Sequence, residues 1–184
     1  MAIRPSDVIV IVDYDSLWPE MFEVARRRIA GEIGPWVAQV EHIGSTSVPG
    51  LAAKPIIDIM VGLLKLGDAA HCIGPLEALG YEYVPEFERE MPERRYFRMV
   101  DSDGRWVHHV HMVEIGGEFW ERDLLFRDYL RSHPKMASEY ARLKRELAAR
   151  FVTNDGERYT EAKTPFIRGV EAVARAERRA SRWP

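Results

Sequence analysis

The order of periodic segments along the chain limits its fold more than any other feature. Strand-like patterns lie at residues 37–43, 56–61, 81–84, 95–100 and 106–113. Apolar residues at helical spacing occur at 18–33, before these strands, and from residue 118 to residue 180 after them. Because strands and helices do not alternate regularly, the pattern predicts an α+β fold with a helical C-terminal half, and a further helix over 67–79.

Length and charge narrow the class of protein. The 184 residues are enough for one domain, which we predict over residues 1–184. A formal net charge of −3 provides no general attraction to nucleic acid or to an anionic membrane. The apolar runs are too short to span a bilayer, and the N-terminal residues do not resemble a signal peptide. We therefore expect a cytoplasmic protein with neither nucleic acid nor membrane as a general partner.

The cysteine content limits the metal chemistry. Cys72 is the only cysteine, so the chain can form no intramolecular disulfide and no thiolate metal cluster. A metal ion would have to be held by oxygen and imidazole ligands.

A segment of small residues connects the first two predicted strands of the central region. From Gly44 to Pro55 it is rich in glycine, serine and proline. Backbone amides near Gly44, the hydroxyls of Ser45 and Thr46 and the ammonium of Lys54 could surround phosphate oxygens. The alternative is structural, with the glycines shaping a turn and the hydroxyls capping a helix.

Asp58 lies inside the apolar run at 56–61, which is predicted to be a buried strand. A carboxylate in such surroundings is costly unless it is paired or liganded. Asp58 could hold a divalent ion against a bound phosphate, or it could accept hydrogen bonds from backbone amides.

Separated motifs occupy residues 42–61, 94–97, 109–111, 126–134, 140–144 and 159–163. In this order they resemble the GrpB family, whose members are expected to have the fold of the DNA-polymerase-β-like nucleotidyltransferases. Together they extend the resemblance from the N-terminal helix to about Ile167. The resemblance implies a nucleotidyltransferase-like mixed β-sheet with flanking helices.

The resemblance also implies a ligand and a chemistry. The ligand would be a nucleotide or another phosphorylated small molecule, bound with a divalent metal ion such as Mg²⁺, Mn²⁺ or Zn²⁺. Lys54 and Asp58 would be the catalytic residues of a nucleotidyl transfer to an unknown acceptor. Related domains fused to dephospho-coenzyme A kinases suggest two different roles, a non-catalytic folding accessory or a module that binds a protein partner.

This sequence departs from the nucleotidyltransferase pattern at one position. Catalytic members of the superfamily carry two acids one residue apart on a strand, and the pair holds two magnesium ions. Here Asp58 is followed two positions later by Met60. The usual two-metal arrangement therefore lacks one carboxylate.

Two histidines could supply other metal ligands. His109 and His111 are two residues apart on a predicted strand and share one face of it. If Asp58 lies beside that face, the three side chains would form a metal site, which would also suit a metal-dependent hydrolase. Glu41 or His42 could add a ligand. The alternative is that these histidines are ordinary hydrogen-bonded residues.

Three further cations match family positions. Arg95 could bind a phosphate or carboxylate with two parallel hydrogen bonds, or it could pair with nearby glutamates at the surface. Lys144 and Lys163 lie on the predicted C-terminal helices and could close over a nucleotide. Their alternative is helix packing and surface ion pairing.

Overall fold

The computed structural model describes residues 9–151 and 156–180. One mixed β-sheet has the strand order β1-β2-β5-β4-β3, in which β2 and β5 are parallel and the other neighbours are antiparallel. The strands are β1 (Val37–Ile43), β2 (Ile57–Leu63), β3 (Glu82–Tyr83), β4 (Arg94–Val100) and β5 (Trp106–Glu114). The helices are α1 (Trp18–Ile33), α2 (Ile73–Ala78), α3 (Glu118–Ser132), α4 (Pro134–Arg150) and α5 (Gly156–Ala180). This architecture confirms the predicted α+β fold with its helical C-terminal half.

The helix predicted over 67–79 is wrong in its extent. The chain forms a 3₁₀ turn at Leu66–His71, followed by the short helix α2. Pro75 explains the interruption, because proline lacks an N–H group and is tolerated only in the first turn of a helix. The β-branched run at residues 8–12, which predicts a strand or an extended arm, contributes an isolated bridge between Val12 and Ala53. Val8 lies outside the described residues.

Alternate residues of β2 point to opposite faces of the sheet. On the α1 face, Ile57 and Ile59 are fully buried in the core that includes α1. On the opposite face, here called the site face, β2 carries Asp58, Met60 and Gly62. The parallel register places His109 beside Asp58 on that same face.

The helical half packs against the loop that follows β1. In this second core, Leu51 contacts a cluster to which α3, α4 and α5 contribute Leu130, Tyr140 and Val170. The small-residue loop is therefore enclosed between the sheet and the C-terminal helices. No helix within 9–151 and 156–180 has both the length and the apolar character needed to cross a bilayer.

Gly62 provides room for α3 to pack on the site face. A Cβ atom at Gly62 would lie 2.7 Å from Cζ3 of the buried Trp120. We expect Gly62→Ala to lower the free energy of unfolding by about 1–3 kcal/mol through overpacking. Urea denaturation measures this change. The control is Gly31→Ala in α1. A Cβ atom there would have no side chain or other element within 4 Å, and alanine should stabilise the helix by up to about 1 kcal/mol. Equal effects at the two positions would contradict the prediction.

Candidate phosphate-binding site

The loop after β1 brings the backbone of Gly44 against the carboxyl group of Asp58. Gly44 has φ +68°, and a Cβ atom there would lie 2.2 Å from Asp58 Oδ2. Glycine is required for this conformation and also for this contact. The Ser47 hydroxyl donates a 2.6 Å hydrogen bond to the Gly44 carbonyl, which closes the turn and leaves Ser45 beside Asp58.

Thr46 has a structural role in this loop. It is buried, and its hydroxyl donates to the Ile56 carbonyl (3.1 Å) while accepting from His42 Nε2 (3.1 Å). His42 stacks on Phe22 of α1, with ring centroids 4.7 Å apart, and its burial lowers its pKa to about 4. Thr46 and His42 therefore fasten the loop to the sheet and do not line the cavity described next.

A cavity of about 210 Å³ opens between the loop, the site face and the last two helices. Its walls combine three lysines with a carboxylate, hydroxyl groups and an imidazole. They are formed by Ile9, Ser45, Lys54, Ile56, Asp58, His109, Lys144, Gly156, Tyr159, Thr160 and Lys163. The structure thus brings together most of the residues predicted from the sequence for phosphate binding.

Lys144 extends from α4 and is only 2% exposed. Its Nζ donates a 2.5 Å hydrogen bond to the Ala52 carbonyl and lies 4.7 Å from the centroid of the Tyr140 ring. Burial lowers the pKa of this amine to about 7, with Lys163 lowering it further and Asp58 opposing the change. Burying an ammonium group is costly. Surface ion pairing, one alternative considered from the sequence, therefore does not describe Lys144.

Lys163 approaches the cavity from α5. Its Nζ lies 4.4 Å from the centroid of the Tyr159 ring. Burial lowers its pKa to about 8, Asp58 opposes the shift, and the neighbouring charge of Lys54 adds to it. The two helices therefore place two partly desolvated amines opposite the loop that carries Lys54.

Asp58 is the acid at the base of the cavity. Its Oδ1 lies 3.2 Å from Nδ1 of His109 and 3.9 Å from Nε2 of His111. Burial acts to raise the pKa of this carboxyl, but hydrogen bonds and charge from the two imidazoles outweigh it, and the pKa falls below its ordinary value. Asp58 is therefore ionised at neutral pH.

Arg94 fixes the protonation pattern of His111. The Arg94 guanidinium donates to His111 Nδ1 (3.1 Å), so the proton of the neutral imidazole sits on Nε2, which faces Asp58. Burial lowers the pKa of His111 to about 4 and keeps this ring neutral at pH 7. Its Nε2 consequently presents an N–H group to the carboxylate and has no lone pair for a cation.

The predicted metal site is therefore not supported by the donor set. His109 Nδ1 also faces the ionised Asp58 oxygen and carries a proton there. In the described part of the chain, no three histidine, cysteine, aspartate or glutamate side chains are disposed to hold one metal ion. Glu41, considered above as an additional ligand, is instead paired with Arg127 of α3 at 2.5 Å. The residues around Asp58 form a hydrogen-bonded carboxylate and do not fit a metal.

Arg95 does not join this cavity. In β4, Phe97 points into the α1-face core, and Arg95 shares its face because the two are separated by one residue. The Arg95 guanidinium donates to the Pro92 carbonyl and lies 3.4 Å from Glu88. Its neighbour Arg94 occupies the site face instead.

Sequence reasoning missed two residues beside the site. Arg94 stacks over Tyr96, with its guanidinium carbon 5.0 Å from the ring centroid, and its Nε is buried without a hydrogen-bond partner. Asp123 of α3 has its pKa raised to about 6 by burial, with Asp58 adding to the shift and Arg122 opposing it. Nothing in the helical pattern around Asp123 distinguishes it from a surface residue.

The fold is that of the nucleotidyltransferase-like proteins. A crystal structure of the Cid1 poly(U) polymerase superposes with a TM-score of 0.51 and 15% identity, covering 76% of this chain and 44% of that one. The match to the crystal structure of GrpB from Enterococcus faecalis has a TM-score of 0.78 and 36% identity, and it covers 90% of this chain and 96% of that one. The sequence model of the GrpB protein matches residues 8–172. The chain belongs to the GrpB family.

Relatives of the chain differ in length. The UPF0157 protein YqkA of Bacillus subtilis is 38% identical over 182 residues, which is 98% of this chain. The chain spans 50% of the length of that relative. A dephospho-CoA kinase of Mycolicibacterium paratuberculosis is 28% identical over 194 residues, which cover 94% of this chain and 46% of the kinase. GrpB-like sequence therefore occurs within longer proteins.

Proposed function

We propose that this protein binds the phosphate chain of a nucleotide or of another phosphorylated small molecule in the cavity beside Asp58. One observation carries the proposal. Lys54, Lys144 and Lys163 come from three separate elements and line one small cavity together with Ser45. Three lysine amines, which a bound anion would hold in their charged form, line the cavity beside one carboxylate, and that carboxylate already accepts a hydrogen bond from His109. Such a site favours a multiply charged anion.

The size of the cavity favours a phosphate chain over a whole nucleotide. Sites for drug-sized ligands commonly enclose about 300–1,000 Å³, whereas this cavity holds about 210 Å³. The phosphates would fit inside, and the remainder of the molecule would extend from the opening.

Nucleotidyl transfer remains a prediction from the resemblance, and the metal-dependent hydrolase remains a prediction from the placement of His109 and His111 near Asp58. Within the described residues, β2 carries no second carboxylate two positions after Asp58, because that position is the fully buried Met60. This observation favours a second candidate function, a non-catalytic accessory module of the kind suggested for domains fused to dephospho-CoA kinases. A folded wild-type protein that binds no phosphate compound would support the accessory role.

Titration calorimetry tests the proposal with inorganic tripolyphosphate and with ATP. We expect saturable binding by the wild type and at least about tenfold weaker binding by Lys163→Met, because one charge-assisted hydrogen bond contributes about 1.5–3 kcal/mol. Arg95→Met is the matched control, since Arg95 lies on the opposite face of the sheet. No binding by the wild type, or equal losses in the two variants, would refute the proposal. Circular dichroism verifies that both variants fold.

Anion binding should be coupled to proton uptake above pH 7. The pKa values of Lys144 and Lys163 are lowered to about 7 and 8, and a bound anion stabilises the charged amines. Asp58, Lys54 and Arg145 are the other charges acting on these amines. We therefore expect affinity for ATP to fall as the pH rises from about 7.5 to 9.

Two features of the measurement isolate this effect. Phosphate monoesters titrate near pH 6, so the ligand keeps its charge across the chosen range. Calorimetry in two buffers of different ionisation enthalpy counts the protons taken up. Lys163→Met should take up fewer protons than the wild type, and a flat affinity across this pH range would contradict the prediction.

A further inference from the structure

The position of the missing second acid is closed to a cation. Met60 is fully buried in a cluster with Ile43, Val113, Phe119 and Trp120. Apolar side chains of β1, β5 and α3 thus fill the space beside Asp58 in which a second carboxylate and its metal would sit.

The other side of Asp58 is closed by hydrogen-bond donors. His109 Nδ1 lies 3.2 Å from Asp58 Oδ1, and the Nε2 proton of His111 points towards the same oxygen because Arg94 occupies Nδ1. A metal ion at this oxygen would meet two N–H groups where it needs lone pairs. His109 thus hydrogen-bonds to Oδ1, and both imidazoles present N–H groups to this oxygen.

Lysine side chains of the protein, and not a metal ion, supply the positive charge that would bind a phosphate chain. Lys54 comes from the loop before β2, Lys144 from α4 and Lys163 from α5, and all three line the cavity. Lys144 is held in place by its bond to the Ala52 carbonyl, and Lys163 lies over the Tyr159 ring. The amines therefore approach one volume from three separate elements.

We propose that this site binds polyphosphate groups in their metal-free form, with Lys54, Lys144 and Lys163 taking the place of the magnesium ions. The inference rests on the proposed function and specifies the chemical form of its ligand. A magnesium complex would bind less well than the free anion, because the metal neutralises part of the charge and occupies the oxygens that the amines would contact.

Titration with inorganic tripolyphosphate in EDTA and in excess MgCl₂ tests this inference. We expect saturable binding in EDTA and at least about tenfold weaker binding in magnesium. Binding that requires magnesium would overturn the inference while leaving the proposed function in place. An absence of binding in both solutions would overturn the proposed function, and the inference with it.

Two further measurements identify the groups responsible. Lys163→Met should lose at least about tenfold in tripolyphosphate affinity in EDTA, and an affinity equal to that of the wild type would overturn the role of the amines. Titration of the wild-type protein with MnCl₂ alone should show no saturable binding. Saturable Mn²⁺ binding that disappears in Asp58→Asn would overturn the inference.

Discussion

Gly44→Ala should lower the free energy of unfolding by about 2–6 kcal/mol and abolish binding of the phosphate chain. Gly44 has φ +68° and ψ −172°, a conformation open almost only to glycine, and alanine there costs about 1–3 kcal/mol. Its Cβ would also lie 2.2 Å from Asp58 Oδ2, and relieving such an overlap costs about 1–3 kcal/mol. Either the loop or the Asp58 carboxyl must move, and both form the wall of the cavity. Urea denaturation and tripolyphosphate titration measure the two effects.

Gly50→Ala separates the two contributions. Gly50 lies in the same loop with φ +77°, but no atom lies within 4 Å of a Cβ built there. In this variant the free energy of unfolding should fall only by the conformational cost of about 1–2 kcal/mol, and ligand binding should be retained. Equal destabilisation by the two variants would show that the contact with Asp58 is not the constraint we infer.

Lys144→Met should have opposite effects on stability and on binding. Removing the buried amine should stabilise the fold by about 1–3 kcal/mol at pH 7, partly offset by the lost hydrogen bond to Ala52. Tripolyphosphate affinity should fall at least about tenfold, because one of three ammonium groups is gone. Such a trade between stability and function is expected of a residue kept for ligand binding.

The pH dependence distinguishes this cause from improved packing. The pKa of Lys144 is lowered from 10.5 to about 7 on folding, so between these values the unfolded chain binds more protons than the folded one. The wild type therefore gains stability as the pH rises through this window, and methionine does not titrate. The advantage of Lys144→Met should be largest at pH 7 and should shrink by about pH 9.5. An advantage that is equal at both pH values would contradict burial of the charge as its origin.

The sequence predicted the parts of the site that lie close together along the chain. Ser45, Lys54 and Asp58 belong to one loop and the strand that follows it, so their proximity follows from local order. Lys144 and Lys163 were indicated by the family resemblance alone. Helical periodicity could not reveal that both amines turn inward, because long polar side chains on an amphipathic helix usually face the solvent.

Strand parity explains why Arg95 lies outside the cavity. A shift of one residue moves a side chain to the other face of a sheet. The local sequence Arg94-Arg95 does not indicate which of the two arginines lies on the site face. The choice depends on the pairing of β4 with β5, which places Tyr96 opposite His111.

The protonation state of the histidines also depends on contacts between strands. His109 and His111 share one face, as their spacing predicted, and the parallel register of β2 and β5 places that face beside Asp58. Whether they act as ligands or as donors depends on Arg94, which is supplied by β4. The sequence pattern gives the positions of the two rings but says nothing about the nitrogen that carries the proton.

The walls of the cavity span most of the polypeptide, from Ile9 to Lys163 on α5. During synthesis the chain emerges with its N-terminus first, so the complete sheet is available before α5 has been made. The anion meets the complete cavity only after Lys163 has been made, so the sheet depends on its own core until then. A ligand of this cavity would give its full stabilisation only to a chain that has been translated past Lys163.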